Sequence, residues 1–238
     1  MKNAIFFVML LMTGTVLGQA SDNQIYINQV GQQATIVMEQ TGENNTIGSD
    51  DGQTPFYFNG DQQDITITQF GNNNSLYGWL YGNGILARLM GYGDNNEITL
   101  NNNPDGSFSA DDTQYDINID GGNNTLLMNV GTADVADGSI FTWDITGDYN
   151  NFNATVNSEN AESTITMVGN YNNVTTGASG YAGHNVNIDH TGDYTNFNIT
   201  QESTTETNSI IIESTTSGTV QTPSTICVYQ SNSGTSGC

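Results

Sequence analysis

Basic residues are almost missing from this chain of 238: Lys2 and Arg88 stand alone against 25 acids, and the formal net charge is −23. Charge-driven binding to nucleic acid or to an anionic membrane needs clustered Lys and Arg. Both partner classes are therefore excluded. Histidine is equally scarce, with only His184 and His190. No G-x-S-x-G, H-E-x-x-H or phosphate-loop pattern occurs, so no catalytic residue, metal ligand or cofactor is expected and the chain reads as a non-enzyme. Past the first 20 residues no apolar run is long enough to span a bilayer. The acids sit on scattered outer positions, where solvation and self-repulsion account for them; binding of calcium or a cationic surface is the sharper alternative. Only 35% of residues are hydrophobic. They are patterned rather than absent, which argues against disorder.

Two cysteines, Cys227 and Cys238, lie eleven residues apart near the C-terminus. In an exported protein this spacing suggests a disulfide that pins the tail. Two free thiols or an intermolecular bond are the alternatives. Export itself is read from residues 1–20: Lys2 gives a positive start, residues 5–12 are apolar, and Gly18-x-Ala20 gives small residues before a cut. Removing that leader leaves Arg88 as the sole base and a charge of −24. The expected division is a signal peptide at 1–20, a repeat domain at 21–212, and a Ser/Thr-rich tail at 213–238.

What the chain does contain is a repeated strand, turn and strand. In residues 144–156 and just before them, Phe141, Trp143 and Ile145 alternate with polar residues, as do Phe152, Ala154 and Val156. Period-2 alternation gives one buried and one wet face. Between them lies Gly147-x-x-Asn150, residue types that tolerate the positive φ of a tight reversal. Aligned on that glycine, seven units appear at Gly31, Gly71, Gly93, Gly121, Gly147, Gly169 and Gly192, spaced 40, 22, 28, 26, 22 and 23 residues apart. Three residues on stand Ala34, Asn74, Asn96, Asn124, Asn150, Asn172 and Thr195. Four residues before each glycine is an apolar position: Ile27, Ile67, Leu89, Ile117, Trp143, Ile165 and Ile188. Five residues after it is another: Ile36, Leu76, Ile98, Leu126, Phe152, Val174 and Phe197. A fixed period of this length signals a stacked repeat. The fold expected is all-β, a β-solenoid of about seven two-strand rungs, with equivalent positions forming ladders.

Gln40-x-Gly42-x-x-Asn45 follows eleven residues after Gly31, half a period, and points to a second arc on the opposite side of each rung. The aromatic trio Phe56, Tyr57 and Phe58 is either an interaction patch or a loop folded over the first rung. Residues 210–212 are read as one more strand covering the last rung. His190 occupies an inward repeat position, as a core imidazole would.

These units resemble curlin repeats, the building blocks of curli-type bacterial amyloid fibres. The family motif is roughly Gln-x-Gly-x-x-Asn-x-Ala with a second Gln further on. Gln29, Gly31, Ile36 and Gln40 match in the first unit, Gln40, Gly42 and Asn45 in its second arc, Gln69, Gly71 and Asn74 in the next, and Gly192 and Gln201 in the last. The resemblance spans about residues 23–201. The first Gln position holds Gly91, Ile119, Ile145, Met167 and His190 elsewhere, so the match is a divergent one. It implies secretion across an outer membrane, surface fibres and a biofilm role. The partners it implies are further copies of the chain, other curlin-like subunits and an outer-membrane secretion apparatus.

Periodicity leads to the same expectation by geometry. The end rungs of a strand stack carry unpaired backbone groups, and a second copy offers the matching ladder. The expected edges are residues 25–40 and 188–212. Turn asparagines are expected to stack as an amide ladder across the joint. A calcium-binding β-roll fits less well, since Gly121-Gly-Asn-Asn lacks the Gly-Gly-x-Gly-x-Asp of that repeat. A monomeric adhesin or ice-binding solenoid, with outward Thr66, Thr68, Thr142, Thr164 and Thr166 as its face, is the alternative function.

Overall fold

The structure is a computed structural model, and it describes residues 24–42, 45–48, 55–71, 73–93, 95–102, 111–131, 136–179, 183–202, 209–215 and 225–231. The leader expected at 1–20 and Cys238 lie outside these. The described chain is all-β: every regular element is a strand, and every strand pair is parallel. The strands fall into two facing sheets. The first is a stack of eight: Thr35–Thr41, Asp64–Phe70, Leu86–Tyr92, Gln114–Asp120, Ile140–Thr146, Glu162–Val168, Asn185–Thr191 and Ser209–Thr215. The second is twelve-stranded, with Ser75–Tyr81, Glu97–Asn102, Thr125–Val130, Asn151–Glu159, Asn173–Ser179, Asn196–Glu202 and Thr225–Ser231 as its main run. The chain crosses from the first sheet to the second through one turn and returns through another. It is a β-solenoid, as the repeat predicts.

Register follows the repeat. Ile117, Trp143, Ile165 and Ile188 are consecutive partners in the first sheet. Leu126, Phe152, Val174 and Phe197 are consecutive partners in the second. All eight are buried, because alternation turns every second residue of each strand into the space between the sheets. Parallel pairing of this kind needs a crossover between successive strands. Here the facing sheet supplies it.

Three expectations are corrected. The first unit was placed half a rung out of step: Gly31 belongs to the return turn, and Gly42 heads the column that Gly71 continues, since Gln40 pairs with Gln69 and Thr41 with Phe70. The inward residues of that unit are then Met38 and Ile47, both buried. Ile27 and Ile36 are only partly buried, packed against the core at its open end. The first sheet has eight strands, the last of them the one expected at 210–212. The solenoid also runs on beyond residue 212: Thr225–Ser231 pairs with Asn196–Glu202 throughout its length, inside the expected tail.

Phe56 and Phe58 lie on a short strand, Phe56–Asn59, paired to Ser75–Tyr81. Both are fully buried, which settles the aromatic trio as a core-covering segment. The missing side chain of Gly78 makes room for one of them: a Cβ there would stand 1.9 Å from Phe56 Cζ. Further aromatic contacts lie three rungs along. Trp143 packs flat on Phe141 at 5.3 Å and edge-on to Phe152 at 5.0 Å, contacts that add specificity to a large burial of area.

Candidate assembly surfaces

The turn from first to second sheet is built identically on successive rungs. Its glycine has φ between 128° and 150° at Gly42, Gly71, Gly93, Gly121, Gly147, Gly169 and Gly192. It also sits directly on the carbonyl of the glycine below. A Cβ at Gly147, Gly169 or Gly192 would lie 1.9–2.0 Å from that oxygen. Only glycine satisfies both demands.

The asparagine three residues on is buried at Asn45, Asn74, Asn96, Asn124, Asn150 and Asn172, and at Asn96, Asn124 and Asn150 it works in two directions. Its amide donates to the glycine carbonyl of its own turn, at 3.1 Å for Asn45, 3.0 Å for Asn74 and 2.6 Å for Asn124 and Asn150. Oδ1 of Asn96, Asn124, Asn150 and Asn172 accepts the backbone N–H of the asparagine on the preceding rung. Asn96 N–H reaches Asn124 at 2.9 Å, Asn124 N–H reaches Asn150 at 3.0 Å, and Asn150 N–H reaches Asn172 at 2.8 Å. The expected amide-to-amide ladder at this position is therefore corrected: these side chains bind backbone, and satisfy buried groups that would otherwise be orphaned. A true amide ladder lies one residue later on the outer surface, where Asn196 donates to Asn173 at 3.0 Å and Asn173 to Asn151 at 2.9 Å.

Acids take part in the same bracing. Asp61 accepts the N–H of Asn83 and Asp111 that of Asp137, both at 2.9 Å, while Asn83 accepts that of Asp111. Asp148 accepts from the backbone N–H of Asn170, which in turn accepts from Asp193. Several carboxylates thus join rungs at the two turns, a role that solvation alone did not suggest.

The inward Gln column is short. Gln69 donates to Gln40 Oε1 at 3.0 Å and to the Ser75 carbonyl at 3.1 Å, and Gln40 to the Thr46 carbonyl at 3.2 Å. Gln29 is not its equivalent, since it pairs with Phe58 in the other sheet. Gln201 pairs with Ala178 and Gln230 in the second sheet. His190 lies further along the same column, one rung before its end, and is fully buried, as expected of a core imidazole. Its Nε2 lies 2.7 Å from Thr195 Oγ1 and its Nδ1 3.0 Å from Ser214 Oγ on the last rung. Burial holds its pKa below the ordinary 6.5, opposed by the Gly169 carbonyl and the charges of Asp189 and Asp193. Burial lowers His184 likewise.

Both ends of the stack are open among the described residues. Thr35–Thr41 pairs only with Asp64–Phe70, and Ser209–Thr215 only with Asn185–Thr191. The expected C-terminal edge at 188–212 narrows to its far end: Asn185–Thr191 is flanked on both sides, and Ser209–Thr215, which holds the strand expected at 210–212, is the edge of the first sheet. In the second sheet, Thr225–Ser231 forms that edge, with Ile226 48% and Val228 42% exposed. Cys227 is disulfide-bonded.

The register makes the two ends comparable residue by residue, because each column runs unbroken from first strand to last. In the first sheet Ile36 shares its column with Ile210, Val37 with Ile211, Met38 with Ile212, Glu39 with Glu213 and Thr41 with Thr215. In the second, Ile25 shares its column with Ile226 and Gln29 with Gln230.

The geometry defines a parallel β-solenoid, braced by Gly and Asn columns, whose two ends are open among the described residues. No family model, no curated protein and no solved structure matches this chain. Sequence reading located the Gly and Asn columns and both inward rows. It missed the exposed column one residue before the asparagine, where Tyr149, Tyr171 and Tyr194 follow Asn73, Asn95 and Asn123. Its signal was present, a Tyr two residues after three successive turn glycines.

Proposed function

We propose that this protein is a structural subunit that assembles end to end by strand addition, forming fibres of the curli type on or outside the cell surface. The observation that carries this is the match between the two terminal strands. Placed one strand spacing apart, about 4.8 Å, Ser209–Thr215 of one copy meets Thr35–Thr41 of the next. Ile210 then meets Ile36, and Ile212 meets Met38, in line with the inward rows of every rung between. Open edge hydrogen-bond groups find partners, and the partly exposed Ile36, Ile210 and Ile212 become interior. The partner is a second copy of the chain. No reactive group or bound cofactor enters this function.

One column opposes the joint. Glu39 meets Glu213, inside an overall charge of −23. Like charges directly opposite across paired strands destabilise them, and salt screens such exposed charge. Assembly is therefore expected to quicken with salt and with Glu213→Gln, and to slow with Ile212→Pro. That change removes an edge N–H from a strand that must donate it, since residues 209 and 215 bond inward on the side of Asn185–Thr191 and the alternate residues face the open edge. Turbidity and electron microscopy of the purified protein test this. A chain that stays monomeric at high concentration and high salt refutes it and leaves the monomeric adhesin.

A further inference from the structure

Three tyrosines stack on the outside of the solenoid. Tyr149 lies 4.9 Å from Tyr171 with ring planes 3° apart, and Tyr171 lies 4.8 Å from Tyr194 with planes parallel. Their exposures are 58%, 49% and 39%. All three have left-handed backbone, with φ of 62°, 59° and 58°. That conformation suits the asparagines found at Asn73, Asn95 and Asn123 and is unfavourable for a bulky side chain. The last three turns thus depart from the residue the backbone prefers, and do so with the same replacement each time. Functional sites are where such local strain concentrates. Glycine and asparagine columns on either side hold the rungs in place, so the phenols cannot drift apart.

The other tyrosines are differently placed. Tyr92 stacks on Phe70, which has no phenol. Tyr81 lies 5.2 Å from Tyr57 but is buried, and Tyr115 is buried against Asn102. Tyr149, Tyr171 and Tyr194 alone among the described residues combine phenol-on-phenol contact with exposure of every member.

We propose that this column is an oxidative cross-linking site, at which a peroxidase-type catalyst using hydrogen peroxide joins neighbouring rungs covalently. Each of two phenols gives up one hydrogen atom, an electron with a proton, and the peroxide takes both to leave two waters. The two tyrosyl radicals couple through ring carbons ortho to their hydroxyls. Each of those carbons then releases its hydrogen as a proton to the phenoxy oxygen, which restores both phenols. One carbon–carbon bond is formed, two hydrogens are lost, and consecutive rungs are locked. A radical formed on any member can pass along the stack, so Tyr171 is the shared partner in both possible links. The site stands apart from end-to-end assembly, because the linked residues belong to one chain.

The test is oxidation of the full chain at low protein concentration with horseradish peroxidase and hydrogen peroxide. Readouts are dityrosine fluorescence, intact mass and cross-linked peptide mapping. The expected product is monomeric, lighter by two hydrogens, with Tyr171 joined to Tyr149 or Tyr194. Tyr171→Phe, which keeps the ring stack, is expected to reduce intramolecular dityrosine at least tenfold. Tyr149→Phe should leave the Tyr171–Tyr194 link, and Tyr26→Phe should change nothing. Circular dichroism confirms that each variant retains its strands. The proposal is overturned by dityrosine that survives in Tyr171→Phe, by links that map to other tyrosines, or by links found mainly between chains.

Discussion

Replacing Asn150 by alanine isolates what the turn asparagines contribute. Its side chain makes two bonds that alanine cannot: the amide to the Gly147 carbonyl at 2.6 Å, and the acceptor for the Asn124 N–H at 3.0 Å. Asn150 is 3% exposed and Asn124 is equally enclosed, so water does not readily replace either partner. A buried group left without its partner costs about 1–3 kcal/mol. Two such groups give an expected loss of about 2–6 kcal/mol. Asn151→Ala is the control, because Asn151 is exposed and loses only the amide of Asn173; its cost is expected at about 0.5 kcal/mol or less. Urea unfolding of the monomer measures both, and amide exchange at Asn124 reads the broken bond directly. An Asn150→Ala variant within about 0.5 kcal/mol of the parent, with Asn124 still protected, would refute the bracing role.

Trp143→Asp should be among the most damaging single changes, about 4 kcal/mol or more, since it buries an unpaired charge between Phe141 and Phe152; Thr142→Asp, facing outward one residue away, should cost far less in the same urea series. Gly169→Ala should prevent the native turn from forming, because the new methyl would lie 2.0 Å from the Gly147 carbonyl, and loss of the sharp thermal transition would report it. Stability should fall as pH drops below about 6.5: unfolded histidine takes up a proton there while buried His184 and His190 resist it, so the unfolded state binds more protons. His190→Gln, the residue found in that column at Gln40 and Gln69, should flatten part of that slope in denaturation measured from pH 8 to pH 5.

Much of the fold was legible because a solenoid writes its geometry as a period. Phe152 and Trp143 could be assigned inward from alternation alone, and both are fully buried. The first unit was misplaced for a physical reason. Gly31 and Gly42 both stand at turns with positive φ, and a two-sheet rung has two turns of similar chemistry half a period apart. Only pairing separates them, and pairing is a long-range property. The C-terminal edge strand of the second sheet was missed because Thr225–Ser231 follows an irregular spacing, so its strand carries no repeat signal of its own. The backbone role of Asn150 was hidden for another reason: composition shows an amide at the turn, but not whether its partner is another amide or the chain. The dual use of Asp61 and Asp148 was equally invisible, since an outward acid looks the same whether it faces water or the next rung's N–H.

Fibre diffraction from aligned, salt-assembled protein tests end-to-end strand addition most directly. The account predicts a reflection at about 4.8 Å along the fibre axis, with a subunit repeat near eight strand spacings, about 38 Å. A strand-spacing reflection lying across the fibre axis, or no ordered assembly in protein that remains folded and monomeric, would contradict it.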